Sequence, residues 1–254
     1  IEIIQSYKGK IFKEYRDQYN ASLEYDDKYE VLNYPLTVTL EMINRCNLKC
    51  IMCYTDHHKK IKSTLTTEQL DKFLIECKKF KVPAIIIGLG SEVLMYKGIK
   101  DVVKKVMEAE FLDVIFSTNA TLLNEEMSKF LIESGVTRVV ISLDAAKNET
   151  YKIIRSKDEL EKVETNVKRL VELKKEYNTK LPVVRLSFVV QKENINEIQK
   201  FKEKWSDVVD YIDIQEQIDF EPVKEIEKWD IEKNFDLGEK SIMDSNCSYP
   251  FNKF

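Results

Sequence analysis

Three of the five cysteines in this 254-residue chain fall within eight residues, in Cys46-Asn-Leu-Lys-Cys50-Ile-Met-Cys53. Thiolates are soft ligands, and three on one short loop can converge on a single centre because the intervening backbone is short enough to curl around it. The chemistry on offer is an iron–sulfur cluster or zinc. A structural zinc takes four protein ligands, whereas a cubane held by three cysteines leaves one iron open to an outside ligand. The only histidines, His57 and His58, follow Cys53 by four and five residues and could complete a Cys3His zinc knuckle. They also read as a solvated pair running into Lys59-Lys60. Cys77 falls on an apolar helical stripe and reads as a core thiol. Cys247 stands apart, in Cys247-Ser-Tyr-Pro250-Phe251 near the end of the sequence.

The elements that must position such a loop are short Val- and Ile-rich runs alternating with amphipathic segments. Strands are expected over residues 37–43, 84–88, 113–117, 137–143, 183–190 and 208–215. The clearest helix covers 67–79, with Leu70, Phe73, Leu74 and Cys77 on one face, a Thr66/Gln69 capping box and a Leu65/Leu70 staple. A second helix is expected from Ser156, with Glu159 three residues on, to about Tyr177, its stripe being Leu160, Val163, Val167, Leu170 and Val171. Weaker helices fit 99–109, 124–134 and 194–205. Six strand–helix alternations predict an α/β domain with a parallel sheet, too few units for an eight-stranded barrel. A partly open barrel and a flat doubly wound sheet both fit the pattern.

The domain reading is 1–34 as an N-terminal extension, 35–215 as the α/β core and 216–254 as a linker or lid. The two flanking segments are the residues available to cover the open side and unpaired edges of a six-stranded sheet. The tail from Glu216 is expected to cross the mouth and lead toward Cys247.

Lys plus Arg is 40 against 44 Asp plus Glu, so the chain has no global field for a polyphosphate. Its Lys-rich helix faces are interleaved with Glu and lack aromatic platforms, which argues against nucleic acid as a partner. An odd, sparse cysteine set argues against a disulfide framework. With neither an apolar run of membrane length nor a signal-peptide pattern, the expected location is cytoplasmic, with no membrane partner.

The cysteine spacing resembles the C-x3-C-x2-C hallmark of the radical S-adenosylmethionine (SAM) superfamily, which lies on the loop after the first barrel strand. The likeness spans roughly residues 35–215. Gly90-Ser91-Glu92-Val93 stands where the family has Gly-Gly-Glu-Pro, whose backbone receives the methionine amino group. Ser117-Thr118-Asn119 resembles a Ser/Thr-Asn element near the ribose, and Ser142-Leu143-Asp144 resembles a Ser-(Leu/Ile)-Asp segment. Arg155 matches an arginine used near the methionine carboxylate, and Met52 sits where a side chain packs on adenine. Ser91 and Val93 replace the second Gly and the Pro, and Ala120 stands where Gly is common.

The resemblance implies a partial (β/α)6 barrel in which Cys46, Cys50 and Cys53 bind three irons of a [4Fe–4S] cluster and SAM chelates the fourth. Met52, Gly90, Ser91, Glu92, Ser117, Asn119, Ser142, Asp144 and Arg155 would surround SAM. A one-electron donor such as a flavodoxin or ferredoxin would drive cleavage of the C5′–S bond, and the 5′-deoxyadenosyl radical would take a hydrogen atom from substrate. Cys247 with its following Pro and aromatic resembles the opening of the SPASM or twitch extension, where it would ligate an auxiliary iron–sulfur cluster. That subgroup implies a ribosomally made peptide or protein side chain as substrate, crosslinked or epimerised. The alternatives are a radical dehydrogenase or epimerase of a sugar or other small molecule, and, from another class, a zinc-stabilised peptide-binding module without catalysis.

Overall fold

The computed structural model describes residues 1–23, 32–53 and 63–217. Six strands carry the domain: β1 (Thr37–Leu40), β2 (Ala84–Ile87), β3 (Asp113–Thr118), β4 (Arg138–Ser142), β5 (Val183–Val190) and β6 (Tyr211–Glu216). Each pairs in parallel with the next, in the order β1-β2-β3-β4-β5-β6, leaving β1 and β6 as edges. A doubly wound sheet reverses its strand order at a switch point and places helices on both faces. Here the order never reverses. Val38, Ile85, Val114, Val139, Val184 and their i+2 neighbours join one core with helices α3 (Thr67–Lys79), α4 (Ile99–Glu108), α5 (Glu125–Glu133), α7 (Leu160–Glu176) and α8 (Ile198–Trp205). The sheet is therefore the partial (β/α)6 barrel, and the alternate residues of each strand face its interior.

Local signals explain several elements. Gln69 N–H donates to Thr66 Oγ1 at 3.2 Å, and Thr66 N–H donates to Gln69 Oε1 at 2.9 Å, closing the capping box at the start of α3. Leu70, Leu74 and Cys77 are buried along that helix, so Cys77 is a core thiol whose burial pushes its pKa up to about 11. Helix α4 buries Ile99, Val102, Val103 and Val106, one stripe at helical spacing.

Three expectations are corrected. The helix expected from Ser156 to about Tyr177 is α7, which begins four residues later at Leu160, and a further helix that was not expected, α6 (Asn148–Arg155), ends just before Ser156. Ser156 has φ +61° and closes α6, and its hydroxyl donates to Lys49 O at 2.5 Å instead of capping a helix ahead of it. The expected sixth strand starts late, at Tyr211, because Val208 and Val209 donate backward to Trp205 O at 3.0 and 3.1 Å and finish α8. The N-terminal segment forms α1 (Glu2–Lys8) and α2 (Lys10–Leu23), separated at Gly9 with φ +69°. Their Ile4, Phe12 and Tyr15 pack on Leu36, Ala84, Leu181 and Val183. These residues lie at or just before the first positions of β1, β2 and β5, so the two helices cover the floor of the barrel rather than its open side. The tail from residue 218 and His57–His58 lie outside the described residues.

Candidate cofactor site

Beyond the last residues of β1 to β4, the loops enclose one cavity. It is lined by Cys46, Leu48, Cys50, Cys53, Leu89, Gly90, Ser91, Glu92, Ser117, Thr118, Asn119, Ser142 and Arg155. Ten of these thirteen were expected site residues, so segments 46–53, 90–92, 117–119, 142 and 155 do converge at the C-terminal edge where α/β domains place their chemistry. Met52 and Asp144 belong to the same loops but are not among the lining residues.

The thiols are half-buried and receive N–H donors. Leu48 N–H reaches Cys46 Sγ at 3.4 Å, Asn119 Nδ2 lies 3.7 Å from it, and Arg155 Nη1 lies 3.4 Å from Cys50 Sγ. Burial pushes both thiols up, with the Arg155 charge drawing Cys50 back. Thiolates in such a place need a metal centre to hold them, and N–H donors then share their charge. Among the described residues no three His, Cys, Asp or Glu side chains gather tightly enough to hold a single ion. A cubane takes its thiolates at separate corners, and three cysteines on one loop are a donor set that fits it.

Glu92 is 1% exposed, a buried carboxylate rather than a surface one. Its Oε1 accepts from Thr118 Oγ1 at 2.8 Å and Leu94 N–H at 3.0 Å, and its Oε2 from Asn119 N–H at 2.7 Å. Burial pushes this carboxyl up, and those three donors oppose the shift. Glu92 N–H donates to Arg45 O at 2.9 Å, and Asn119 Nδ2 donates to Asn47 Oδ1 at 2.9 Å. The Glu92 carboxylate thus ties the 90–92 loop to the β3 loop, while its backbone N–H and the Asn119 side chain carry the link on to the cysteine loop. Ala120 has φ +57°, the left-handed conformation that favours Gly there, and its carbonyl accepts from Asn166 Nδ2 at 2.7 Å.

Asp144 is fully buried and pairs with Arg155 Nη2, while its Oδ1 accepts Val189 N–H at 2.8 Å. It supports Arg155 and the β5 end rather than capping the turn that follows it. Burial pushes the Asp144 carboxyl up and Arg155 draws it back; the guanidinium stays charged. Helix α6 grips the cysteine loop on both sides of Cys50, through Ser156 Oγ to Lys49 O at 2.5 Å and Ile51 N–H to Ile154 O at 3.0 Å.

Sequence reasoning missed Glu41. Directly after β1, its Oε1 accepts Leu89 N–H at 2.5 Å and Gly90 N–H at 2.6 Å, and its Oε2 accepts Ser91 Oγ at 2.5 Å. An acidic residue one place past a buried strand was the available signal. The structure also adds Leu48 and Leu89 as apolar lining.

A six-stranded parallel partial barrel with three cysteines on its first loop, facing a cavity at the strand ends, defines an α/β enzyme scaffold with thiols placed where a metal centre could be held. The chain belongs to the radical SAM superfamily, whose family model matches residues 40–204. That membership implies a [4Fe–4S] cluster and SAM as cofactors, and it makes the protein a radical SAM enzyme. It is 31% identical over 138 residues to a probable GTP 3′,8-cyclase of Methanothermobacter thermautotrophicus, covering 54% of this chain and 45% of that protein. A probable GTP 3′,8-cyclase of Methanocaldococcus jannaschii is 26% identical over 74% of this chain and 60% of its own length. The tungsten-containing aldehyde ferredoxin oxidoreductase cofactor-modifying protein of Pyrococcus furiosus is 31% identical over 63% of this chain and 45% of its own length. Among solved structures, Streptococcus suis SuiB bound to precursor peptide SuiA superposes with a TM-score of 0.61 at 20% identity, over 80% of this chain and 43% of that one. AnSMEcpe with bound AdoMet gives 0.57 at 22% identity, over 73% of this chain and 52% of that one. These likenesses establish the fold. The matches span about half the length of the relatives concerned. Among the described residues no helix is long and apolar enough to cross a membrane.

Proposed function

We propose that this chain is the catalytic barrel of a cytoplasmic enzyme that takes a hydrogen atom from a ribosomally made peptide or protein side chain, leading to a crosslink or an epimerised centre. Cys46, Cys50 and Cys53 would hold the cluster, and the walls at Gly90–Glu92, Ser117–Asn119, Ser142 and Arg155 would hold SAM. Bound there, cluster and SAM together supply one-electron cleavage of a carbon–sulfur bond and a hydrogen-abstracting carbon radical. The chain's own residues bind, orient and shield. Asn119 and Arg155 share the thiolate charge at Cys46 and Cys50, Glu92 fixes the loops around the cavity, and Leu48 and Leu89 keep part of its wall dry. A flavodoxin or ferredoxin would deliver the electron, and Cys247 would belong to an auxiliary cluster.

The observation that carries the substrate reading is the charge balance inside the barrel. Ser142 lines the cavity, and its register partners are Ser187 and then Asp213, so these share the interior face. One pleat lower lie Val140, Arg185 and Tyr211, and Arg138 faces inward a further pleat down. Arg138 is paired with Asp113, Arg185 with Asp213 and Arg155 with Asp144. A nucleoside triphosphate, the substrate that the cyclase names indicate, needs cations that are not already neutralised. Seryl hydroxyls beside paired charges suit a peptide instead.

Turnover by the full-length, anaerobically reconstituted enzyme separates the two. Peptides encoded beside its gene, given with SAM and a reductant, are expected to lose two hydrogens or to gain deuterium from heavy water. Conversion of GTP to a cyclised product, with the peptides returned unchanged, would overturn the reading.

A further inference from the structure

Glu41 serves no role in the cluster and does not line the cavity, yet its carboxylate accepts from three consecutive residues of the cavity wall. Leu89, Gly90 and Ser91 each give it a hydrogen, two from backbone amides and one from a hydroxyl. The wall therefore lies between the Glu41 carboxylate and the cavity. A trans peptide plane points its N–H and its C=O to opposite sides. With the Leu89 and Gly90 amides held outward by Glu41, the carbonyls of the same two planes, those of Gly88 and Leu89, are turned away from it.

The start of the loop is fixed as well. Gly88 has φ +75°, and a Cβ there would stand 2.8 Å from Val93 Cβ and 3.2 Å from Ser117 O, so only Gly fits. Gly88 N–H donates to Leu40 O at 3.0 Å, one residue before Glu41. Ser91 occupies the position where the superfamily motif has its second Gly, and its hydroxyl is spent on Glu41 Oε2.

We propose that Glu41 is a positioning residue: it sets the 88–91 backbone so that carbonyl oxygens face the cavity as acceptors for a ligand ammonium group, here that of the SAM methionine. The Glu41–Ser91 bond takes over the guidance of the chain that a second glycine gives elsewhere. The proposal rests on the SAM reading of the cavity.

The test measures affinity by calorimetry for cluster-loaded protein with two probes. SAM carries the ammonium; 5′-methylthioadenosine carries the adenosyl thioether without it. Glu41→Ala removes acceptors for two amides and a hydroxyl and is expected to weaken SAM about ten- to a hundredfold, leaving 5′-methylthioadenosine within a few-fold of wild type. Glu41→Gln keeps an oxygen for the two amides and offers an N–H₂ to Ser91 Oγ, so it should restore most of the SAM affinity. Unchanged SAM affinity in Glu41→Ala overturns the proposal, as does an equal loss for both probes or a Gln variant no better than Ala. If Glu41→Ala does not hold its cluster, Glu41→Asp replaces it. That variant keeps the charge but withdraws the carboxylate from the amides, and wild-type SAM affinity in it overturns the proposal. A wild-type protein that binds no SAM overturns the reading of the cavity itself, a result distinct from all of these.

Discussion

Protein in which Cys46, Cys50 and Cys53 are all replaced by Ala is expected to lose, relative to wild type, the iron and acid-labile sulfide of one [4Fe–4S] cluster after anaerobic reconstitution, and to cleave no SAM. The three thiols are half-buried on a loop beyond β1, outside the core in which the strands meet their helices. Their removal takes away the ligands of the metal centre while leaving the apolar contacts of the sheet intact, so the far-ultraviolet circular dichroism of the variant should remain that of a folded α/β domain. The charge-sharing donors cannot compensate, because Arg155 offers only N–H groups and the Asn119 Oδ1 is already taken by Thr121 N–H and Oγ1. Iron and sulfide undiminished from the wild-type content in the triple variant would show that the cluster is held elsewhere.

The second large effect concerns Arg155. Its side chain is buried against Asp144, and replacing it by Ala leaves a buried carboxylate without its cation. Breaking one side of a buried pair costs about 3–5 kcal/mol, whereas replacing both partners with neutral groups of similar size is far less costly. Arg155→Ala should therefore lower the urea stability of the loaded protein by about 3–5 kcal/mol, and Arg155→Met with Asp144→Asn should recover most of the loss.

The sign of the pH dependence follows from burial. Burial already holds the Asp144 carboxyl above its ordinary value, opposed by Arg155. Without the arginine it rises further. A carboxyl raised on folding contributes most below its ordinary range, and that contribution is lost as pH rises through the folded value. The deficit of Arg155→Ala should thus shrink on acidification and grow toward neutral pH. A deficit constant between pH values on either side of the ordinary carboxylate range would contradict this account of the pair.

The inner strands were legible because they carry short runs of buried Val and Ile, such as Ile85–Ile87 and Val183–Val184, a pattern that local composition alone can carry. The start of α3 was legible because Thr66 and Gln69 close their hydrogen bonds within four residues. The cavity was legible through segments that resemble a superfamily, each falling at a strand end. What stayed hidden was decided by contacts between distant residues. Ser156 has the sequence context of a helix start, and only the Lys49 carbonyl, 107 residues away, draws its hydroxyl off and fixes a left-handed turn. Glu41 meets the 89–91 loop across 48 to 50 residues, so its place just past a strand marks it as a strand-end acid without naming its partners. The placement of α1 and α2 on the barrel floor depends on Leu181 and Val183, far along the chain. Short strand ends, at Leu40 and Tyr211, were set by loops and by the last turn of α8 rather than by propensity.

The central claim is that Cys46, Cys50 and Cys53 hold a [4Fe–4S] cluster whose open iron faces SAM in the same cavity. Electron paramagnetic resonance of the anaerobically reconstituted, dithionite-reduced full-length protein, recorded with and without SAM, tests it most directly. The account predicts a reduced cubane signal whose g values shift on adding SAM, in an amount matching one cluster at this site and absent from the triple cysteine variant. A signal unmoved by SAM, or a colourless protein containing zinc and no sulfide, would contradict it.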